Sequence, residues 1–141
     1  MDPGVATCET LHMLLGLDHV NLRTPQLERT IRFYCDVLGM TSGPRPDFSF
    51  NGAWLYCGER PVLHLVEIAD VPRPSGELRL EHFAFTGRGL GAFVERLRAL
   101  GIEHRISVLP TYGNRQVSLR DPDGNRLHVD FSPDEPLSGD V

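Results

Sequence analysis

The chain has 141 residues, of which 40% are hydrophobic and 23% charged, and its formal net charge is −5. These values suit one compact domain with a sizeable core, and the negative charge without a basic stripe argues against a nucleic-acid-binding protein. No apolar run approaches a membrane span and the N-terminus lacks a signal-peptide pattern, so we expect a cytoplasmic protein that binds a small molecule, with no nucleic acid and no membrane as partner.

The first half of the chain predicts the element order β-α-β-β-β. After a leader over residues 1–14, a strand is predicted over Leu15–Leu22. Thr24 and Pro25 predict the start of a helix, with Thr24 as its N-cap, and Gly39 predicts its end. The apolar stripe of this helix consists of Leu27, Ile31, Tyr34 and Leu38. A loop-rich stretch with room for a short strand follows over Thr41–Asn51, and further strands are predicted over Gly52–Cys57 and Pro61–Ile68.

The second half repeats this order after a proline-containing linker, Ala69–Glu77. A strand over Leu78–Phe85 precedes a helix that ends at Gly101 and has the stripe Leu90, Phe93, Val94, Leu97 and Leu100. Strands are then predicted over Glu103–Leu109, Gln116–Arg120 and Asn125–Phe131, with a turn at Asp121–Gly124 before the last one. We therefore predict one α+β domain over residues 15–132, with modules 15–68 and 78–132, and a flexible tail over residues 133–141.

A histidine stands inside a strand-like stretch at the start and at the end of each half. His19 and His82 precede the two helices and lie 63 residues apart, while His64 and His128 close the two halves and lie 64 residues apart. This spacing indicates an internal duplication. Strand alternation puts large apolar residues on the helix side and each histidine on the other, concave side of a curved sheet. We expect the four imidazoles to meet at one point and bind a metal ion.

The same alternation places three further candidate residues on the concave side. Trp54 and Tyr56 could line a pocket for a flat substrate, or instead cover a sheet face or a dimer interface. Arg120 is suited to binding a carboxylate or phosphate group of a substrate, and equally to a surface salt bridge.

Four stretches of the chain resemble the vicinal oxygen chelate superfamily, which includes glyoxalase I, extradiol dioxygenases and bleomycin resistance proteins. They are Leu17-Asp18-His19-Val20-Asn21-Leu22, Phe33-Tyr34 with Leu38-Gly39, Leu80-Glu81-His82-Phe83-Ala84-Phe85, and Asp121-Pro122-Asp123-Gly124-Asn125. The resemblance covers residues 15–132 and implies two βαβββ modules that form a curved mixed sheet around a metal-binding cleft. It also implies a homodimer, in which a site can lie within one chain or be shared between protomers.

The resemblance further implies a divalent metal held at up to four positions, which correspond to His19, His64, His82 and His128. The superfamily most often has glutamate at the place of His128, so this chain departs from the pattern there. Asp130 shares the strand face about 7 Å further along and would reach the metal only if the strand shifts or bends. Without a metal bond, His128 could be a catalytic base or a hydrogen-bond donor to substrate. Imidazole ligands favour Fe, Zn, Ni or Mn over Mg or Ca.

The expected function is that of a metal-dependent enzyme acting on a small oxygen-chelating or aromatic substrate. Because histidine replaces the glutamate implicated in proton transfer, dioxygenase-type chemistry is slightly favoured over glyoxalase-type lyase or isomerase chemistry. Thiol transfer to an antibiotic is a further enzymatic option. The alternatives are a metal-free drug- or natural-product-binding protein similar to bleomycin resistance proteins, and a degenerate paralogue that has lost its chemistry.

Overall fold

Each half of the chain folds into one helix and one four-stranded sheet, in the order β-α-β-β-β. The structure is a computed structural model and describes residues 17–71, 80 and 82–137. The first module contains β1 (Val20–Thr24), α1 (Leu27–Asp36), β2 (Thr41–Gly43), β3 (Gly52–Cys57) and β4 (Arg60–Glu67). The second contains β5 (Phe83–Thr86), α2 (Leu90–Ala99), β6 (His104–Val108), β7 (Arg115–Arg120) and β8 (Arg126–Phe131).

The two sheets have the same strand order, β1-β4-β3-β2 in the first module and β5-β8-β7-β6 in the second. In each sheet the first strand runs parallel to the last one of its module, and the other neighbours are antiparallel. Both sheets are therefore mixed, and the predicted α+β fold with two βαβββ modules is confirmed. Since β1 and β5 are the outer strands of different sheets, each leaves one edge without a strand partner in the described part of the chain.

The start of α1 differs from the prediction. Thr24 is the last residue of β1, where it pairs with Glu67 of β4, and so it is not a helix N-cap. Gln26 takes the N-cap position without a side-chain capping bond, and the helix begins at Leu27. The Thr24 hydroxyl instead accepts a hydrogen bond from the Gln26 backbone N–H at 3.1 Å. Ladder pairing in the sheet has thus overridden the local capping preference of threonine.

Both helices end as predicted, at a glycine with positive φ. Gly39 has φ of 72° and donates its N–H to the Cys35 carbonyl at 3.0 Å. Gly101 has φ of 67° and donates its N–H to the Arg98 carbonyl at 3.1 Å. These bonds satisfy carbonyl groups that the last helical turn leaves without partners, in a conformation that glycine adopts without steric cost.

Other boundaries shift by a few residues. The strand predicted over Leu15–Leu22 begins at Val20 and extends to Thr24, and the strand predicted from Leu78 begins at Phe83. The leader over 1–14, most of the linker and residues 138–141 lie outside the described residues. Leu100 is 49% exposed and does not belong to the buried stripe of α2.

The core lies between the helices and one face of each sheet, and it forms one continuous cluster across both modules. Its fully or nearly fully buried members include Tyr34, Leu55, Leu63, Leu65, Leu97, Val117, Leu127 and Phe131. In β8 the buried residues Leu127, Val129 and Phe131 alternate with His128, which is only partly buried. In β4, His64 is buried together with its neighbours Leu63 and Leu65. None of the described helices is long and apolar enough to cross a membrane.

Helix α1 is tied to the turn between β7 and β8, which we call the 121–125 turn. The buried Tyr34 hydroxyl donates a hydrogen bond of 2.8 Å to the Asp121 carboxylate. That carboxylate also accepts bonds from the backbone N–H groups of Asp123 and Asn125. Burial raises the pKa of Asp121 above its ordinary value, although these hydrogen bonds act in the opposite direction. The Gln26 side-chain amide adds a bond of 2.8 Å to the Asp123 carboxylate.

Candidate metal centre

The first histidine pair lies in an aromatic stack on the first sheet. His64 of β4 stands directly opposite Trp54 of β3, and strand pairing brings their rings together with centroids 4.0 Å apart and planes 7° apart. The other face of the His64 ring stacks on His19, which immediately precedes β1, with centroids 3.8 Å apart. His64 is therefore buried between two flat rings. Trp54 thus lies beside His64 on the first sheet, and its role in substrate binding stays a prediction.

The hydrogen bonds of these two histidines show which ring nitrogen of each neutral imidazole carries the proton. Each bond goes to an oxygen atom that can only accept, so the bonded nitrogen must be the donor. The His19 Nδ1–H donates to the Asp18 carboxylate at 2.6 Å, which leaves Nε2 with the lone pair that a metal would need. The His64 Nε2–H donates to the Pro61 carbonyl at 3.0 Å, so Nδ1 is its remaining donor atom for a metal. The bond to His19 lowers the pKa of Asp18, and burial lowers the pKa of His64.

The second histidine pair lies on the second sheet. The rings of His82, which precedes β5, and His128 of β8 have centroids 4.8 Å apart and planes tilted by 41°. The His128 Nδ1–H donates to the Asp130 carboxylate at 2.8 Å, so Nε2 of His128 also carries the free lone pair. Asp130 lies two residues further along the same strand face. In this structure it orients the imidazole of His128, which is a different role from the fallback metal ligand considered above.

The two pairs do not meet within one chain. Among residues 17–71, 80 and 82–137, no three His, Cys, Asp or Glu side chains gather closely enough to hold a metal ion. The physical reason is the topology: His19 lies at the edge strand of one sheet and His82 at the edge strand of the other, and no ladder joins the two edges. The expectation that all four imidazoles meet at one point is thus not met inside a single chain.

An open cleft of about 690 Å³ lies beside the second pair. His82 and His128 line it, together with Ser118, which stands directly opposite His128 in the sheet. Helix α1 contributes Phe33 and Arg29 to its wall. The cleft therefore offers space for a small molecule next to two imidazoles.

The remaining predicted site residues have defined surroundings. Arg120 lines the cleft, is exposed, and donates a hydrogen bond to the Gly124 carbonyl at 3.0 Å. Tyr56 packs its ring over Gly43, where a Cβ atom would come within 2.8 Å of it, and its hydroxyl donates to the Pro44 carbonyl. Tyr56 thereby holds the loop after β2, a structural contact that the sequence reasoning did not anticipate.

Sequence reasoning also missed several residues around the two pairs. Phe48 and Phe50 stack with centroids 4.9 Å apart, Phe48 approaches Trp54, and the Arg45 guanidinium lies 5.2 Å from the centre of the Phe48 ring. Their loop has no regular pattern from which its path could be predicted. Asp18 was detectable in principle, because an acidic residue beside a ligand histidine is a common orienting partner.

Known proteins resemble this chain over most of its length. A family model described as the Glyoxalase/Bleomycin resistance protein/Dioxygenase superfamily matches residues 16–129. Glyoxylase I 4 from Arabidopsis thaliana is 29% identical over 139 residues, which cover 91% of this chain and 79% of that protein.

Solved structures share the fold. A glyoxalase family protein from Bacillus anthracis is 25% identical with a TM-score of 0.72, over 84% of this chain and 96% of that one. A mutant of the fosfomycin resistance protein FosX from Listeria monocytogenes, solved with Mn(II) and a dihydroxypropylphosphonic acid, is 16% identical. Its TM-score is 0.68, over 85% of this chain and 94% of that one.

Proposed function

We propose that this chain, which belongs to the Glyoxalase/Bleomycin resistance protein/Dioxygenase superfamily, is a metal-dependent enzyme acting on a small oxygen-chelating substrate. The observation that carries the proposal is the pair of carboxylate–histidine contacts, Asp18 with His19 and Asp130 with His128. Each fixes one imidazole so that Nε2 has a free lone pair. Such outer carboxylates are the usual partners of metal-binding histidines, because they set the tautomer and the orientation of the ring.

The proposed ligands are His19, His82 and His128, with Nδ1 of His64 as a fourth candidate donor. Neutral imidazoles suit Fe, Zn, Ni or Mn, and they leave the double positive charge of the ion uncompensated. When bound, such an ion supplies Lewis-acid activation of oxygen atoms on the substrate. The ring of His19 is held by two contacts: it stacks against His64, and its Nδ1–H donates to the Asp18 carboxylate.

We further propose that the complete site forms in a homodimer. Among the described strands, none pairs with the outer edge of β1 or of β5, and an open strand edge readily pairs with another chain. Pairing β1 of one protomer with β5 of its partner would bring His19 and His64 beside the second pair of the other copy. Two-fold symmetry would then create two equivalent sites.

The reaction type follows from what stands at the last ligand position. His128 donates Nδ1–H to Asp130, and a metal bond at Nε2 would occupy its only lone pair, so His128 would not then act as a base. Oxygen insertion is therefore slightly favoured over lyase or isomerase chemistry, which depends on proton transfer. Trp54 borders the first pair and Arg120 lines the cleft of the second, and both are proposed to contact the substrate.

A metal-free protein that binds a drug or natural product is the second candidate function. The aromatic cluster of Phe48, Phe50 and Trp54 favours it, because flat hydrophobic molecules stack on such rings. A metal-free binding function would leave both carboxylate–histidine contacts without a role, and it therefore ranks second. A cytoplasmic location stays a prediction under both readings.

Metal content tests the proposal. The untagged wild-type protein is purified anaerobically without chelators and analysed for Fe, Zn, Ni and Mn, beside His19→Ala/His82→Ala. His104→Ala is the matched control, because that imidazole lines the cleft but gives its Nδ1–H to the Ile102 carbonyl. We expect near-stoichiometric metal in the wild type and the control and its loss in the double variant. Metal absent from the wild type even after reconstitution would overturn the enzyme proposal in favour of ligand binding to the aromatic cluster.

A further inference from the structure

A second opening in the molecule, separate from the cleft beside His128, lies where α2 approaches the end of β3. It has a volume of about 150 Å³ and lies between the two modules, and we call it the intermodule crevice. Among the described residues, the apolar part of its wall consists of Leu38, Met40, Phe85, Phe93, Val129 and Phe131. Cys57 and Gly87 also line it.

The duplication gives this crevice a counterpart in the other half of the domain. β1 and α1 correspond to β5 and α2 with an offset of 63 residues, as their first residues show. β3 corresponds to β7 with an offset of 64, because Trp54 and Ser118 stand opposite the equivalent histidines of β4 and β8. Cys57 at the end of β3 therefore corresponds to Asp121 at the start of the 121–125 turn.

Hydrogen bonds between buried side chains close the counterpart. The Tyr34 hydroxyl donates to the Asp121 carboxylate at 2.8 Å, and the hydroxyl oxygens of Thr24 and Thr30 lie 3.0 Å apart. All four of these side chains are buried. At this place, polar contacts join the first helix to the second module.

Three residues of the crevice wall take the corresponding places with different chemistry. Cys57 stands where the turn has Asp121, and Gly87 and Phe93 stand where the first module has two threonines. A Cβ atom at Gly87 would come within 2.6 Å of the Val129 side chain, so a threonine would not fit there. A polar contact has thus been replaced by an apolar space between the modules.

The wall of the crevice suits one aromatic ring. Phe93 and Phe131 contact each other with centroids 5.7 Å apart and planes tilted by 41°, and Phe85 adds a third ring. A further ring gains edge-to-face or offset contacts with these phenyl groups. Met40 and Cys57 contribute two sulfur atoms, which make favourable contacts with ring edges. An apolar cavity of about 150 Å³ has room for a benzene-sized molecule.

We propose that the intermodule crevice is a binding site for a small neutral arene, separate from the proposed metal centre. Cys57 and Arg88 at its rim are exposed, which gives a ligand access from solvent. Val129 faces the crevice, whereas His128 and Asp130 extend from the other side of β8. Occupancy therefore requires no metal, and the inference does not depend on the proposed function.

The methyl group of Met40 provides a local readout of occupancy. The chain has three methionines, so labelling with methyl-¹³C methionine gives three NMR signals, and Met40→Leu identifies the signal from the crevice. Benzene is titrated into the labelled full chain, and cyclohexane is the non-aromatic comparison of similar size. Intermolecular nuclear Overhauser effects from benzene protons to this methyl group locate the bound ring directly.

Two variants at one position separate filling of the crevice from loss of the thiol. Cys57→Phe places a phenyl ring at the mouth of the crevice, and the matched control Cys57→Ala removes the thiol without filling the space. Thermal unfolding of both variants and the wild type identifies any folding defect. Benzene that binds at the aromatic cluster of Phe48, Phe50 and Trp54 instead would leave the Met40 signal in place.

We expect benzene to shift the Met40 signal saturably in the wild type and in Cys57→Ala. Cys57→Phe should bind benzene at least about tenfold more weakly, because its own ring takes up the space. Cyclohexane should bind the wild type at least about threefold more weakly than benzene, since it lacks the aromatic contacts.

The inference is overturned if benzene leaves the Met40 signal of the wild type unshifted, shifts it without saturation, or gives no Overhauser effect to this methyl group. Equal affinity of the wild type and a folded Cys57→Phe would overturn it as well, as would an equal loss of binding in both variants. Cyclohexane binding as tightly as benzene would overturn the assignment of the site to an aromatic ring.

Discussion

The two modules share a fold but use the same strand face for different chemistry. In the first, the face is aromatic and closely packed, with His64 buried between His19 and Trp54. In the second, it is basic and open, with His128 beside a cleft lined by arginines. A duplicated scaffold has thus kept a histidine pair at matching positions while its surroundings diverged. The first face packs flat rings against one another, and the second borders an open cleft.

Complementation between variants tests whether the two faces make one site, and it has the largest expected effect. His19→Ala and His82→Ala should each bind no metal alone. Co-expressed in equal amounts, they should recover about one quarter of the wild-type metal, because random pairing makes half the dimers mixed and each mixed dimer has one intact site of two. Metal analysis and size-exclusion chromatography provide the measurement. If the co-expressed variants form mixed dimers but bind no metal, each metal site lies within one chain.

Removal of matching side chains should show that only the first face contributes to stability. Trp54→Ala should lower the free energy of unfolding by about 2 kcal/mol, because it takes away one side of the His64 stack. Arg120→Gln on the second face should change it by less than about 0.5 kcal/mol. Urea denaturation followed by circular dichroism measures both values. An equal decrease in the free energy of unfolding for Trp54→Ala and Arg120→Gln would show that the two faces are packed alike.

The two orienting carboxylates should differ in strength. The Asp130 side chain is 30% exposed and that of Asp18 is 90% exposed, so the bond of Asp130 to its histidine is less screened by water. Asp130→Asn should weaken metal binding about 10- to 100-fold, and Asp18→Asn by less. Competition with a chelator of known affinity measures this. Asp134→Asn, three positions beyond the end of β8, is the control and should leave the affinity unchanged.

The contact between the modules gives the smallest expected effect. Tyr34→Phe removes one donor to Asp121 and should lower the free energy of unfolding by about 1 kcal/mol near neutral pH. Burial raises the pKa of Asp121 in the folded chain, so the unfolded chain releases this proton first. The contribution of Asp121 to stability therefore falls as the pH rises above 3.8, the ordinary pKa of an aspartate side chain. Urea titrations of Asp121→Asn should show a flatter pH dependence across that range, while an unchanged slope would assign it to other groups.

Most of the fold could be predicted from local signals. The period of apolar residues indicated both helices, glycine indicated their ends, and the strand Gly52–Cys57 was predicted with its observed boundaries. Alternation along strands placed His64 and Trp54 on one face. The N-cap at Thr24 was predicted wrongly because pairing with Glu67 keeps that residue in the sheet.

The candidate site could be predicted only in part, because it depends on relations between strands that are distant in sequence. The sequence indicates which face each histidine takes, yet the separation into two pairs follows from the positions of β1 and β5 at the edges of different sheets. The position of Arg120 opposite Arg126 likewise depends on the register between β7 and β8. The aromatic cluster around Phe48 depends on the path of an irregular loop.

The bond between Tyr34 and Asp121 breaks the symmetry of the duplication. It joins residues 87 positions apart, and the residue of α2 that corresponds to Tyr34 is Leu97, which has no hydroxyl to donate. The first helix therefore relies on the second half of the chain through a bond that Leu97 cannot repeat in α2. In hydrogen-exchange terms, the amides of α1 and of the 121–125 turn should open together as one cooperative unit. The two halves are therefore not equivalent. A first half produced by itself would lack the Asp121 carboxylate, which accepts the hydrogen bond from Tyr34.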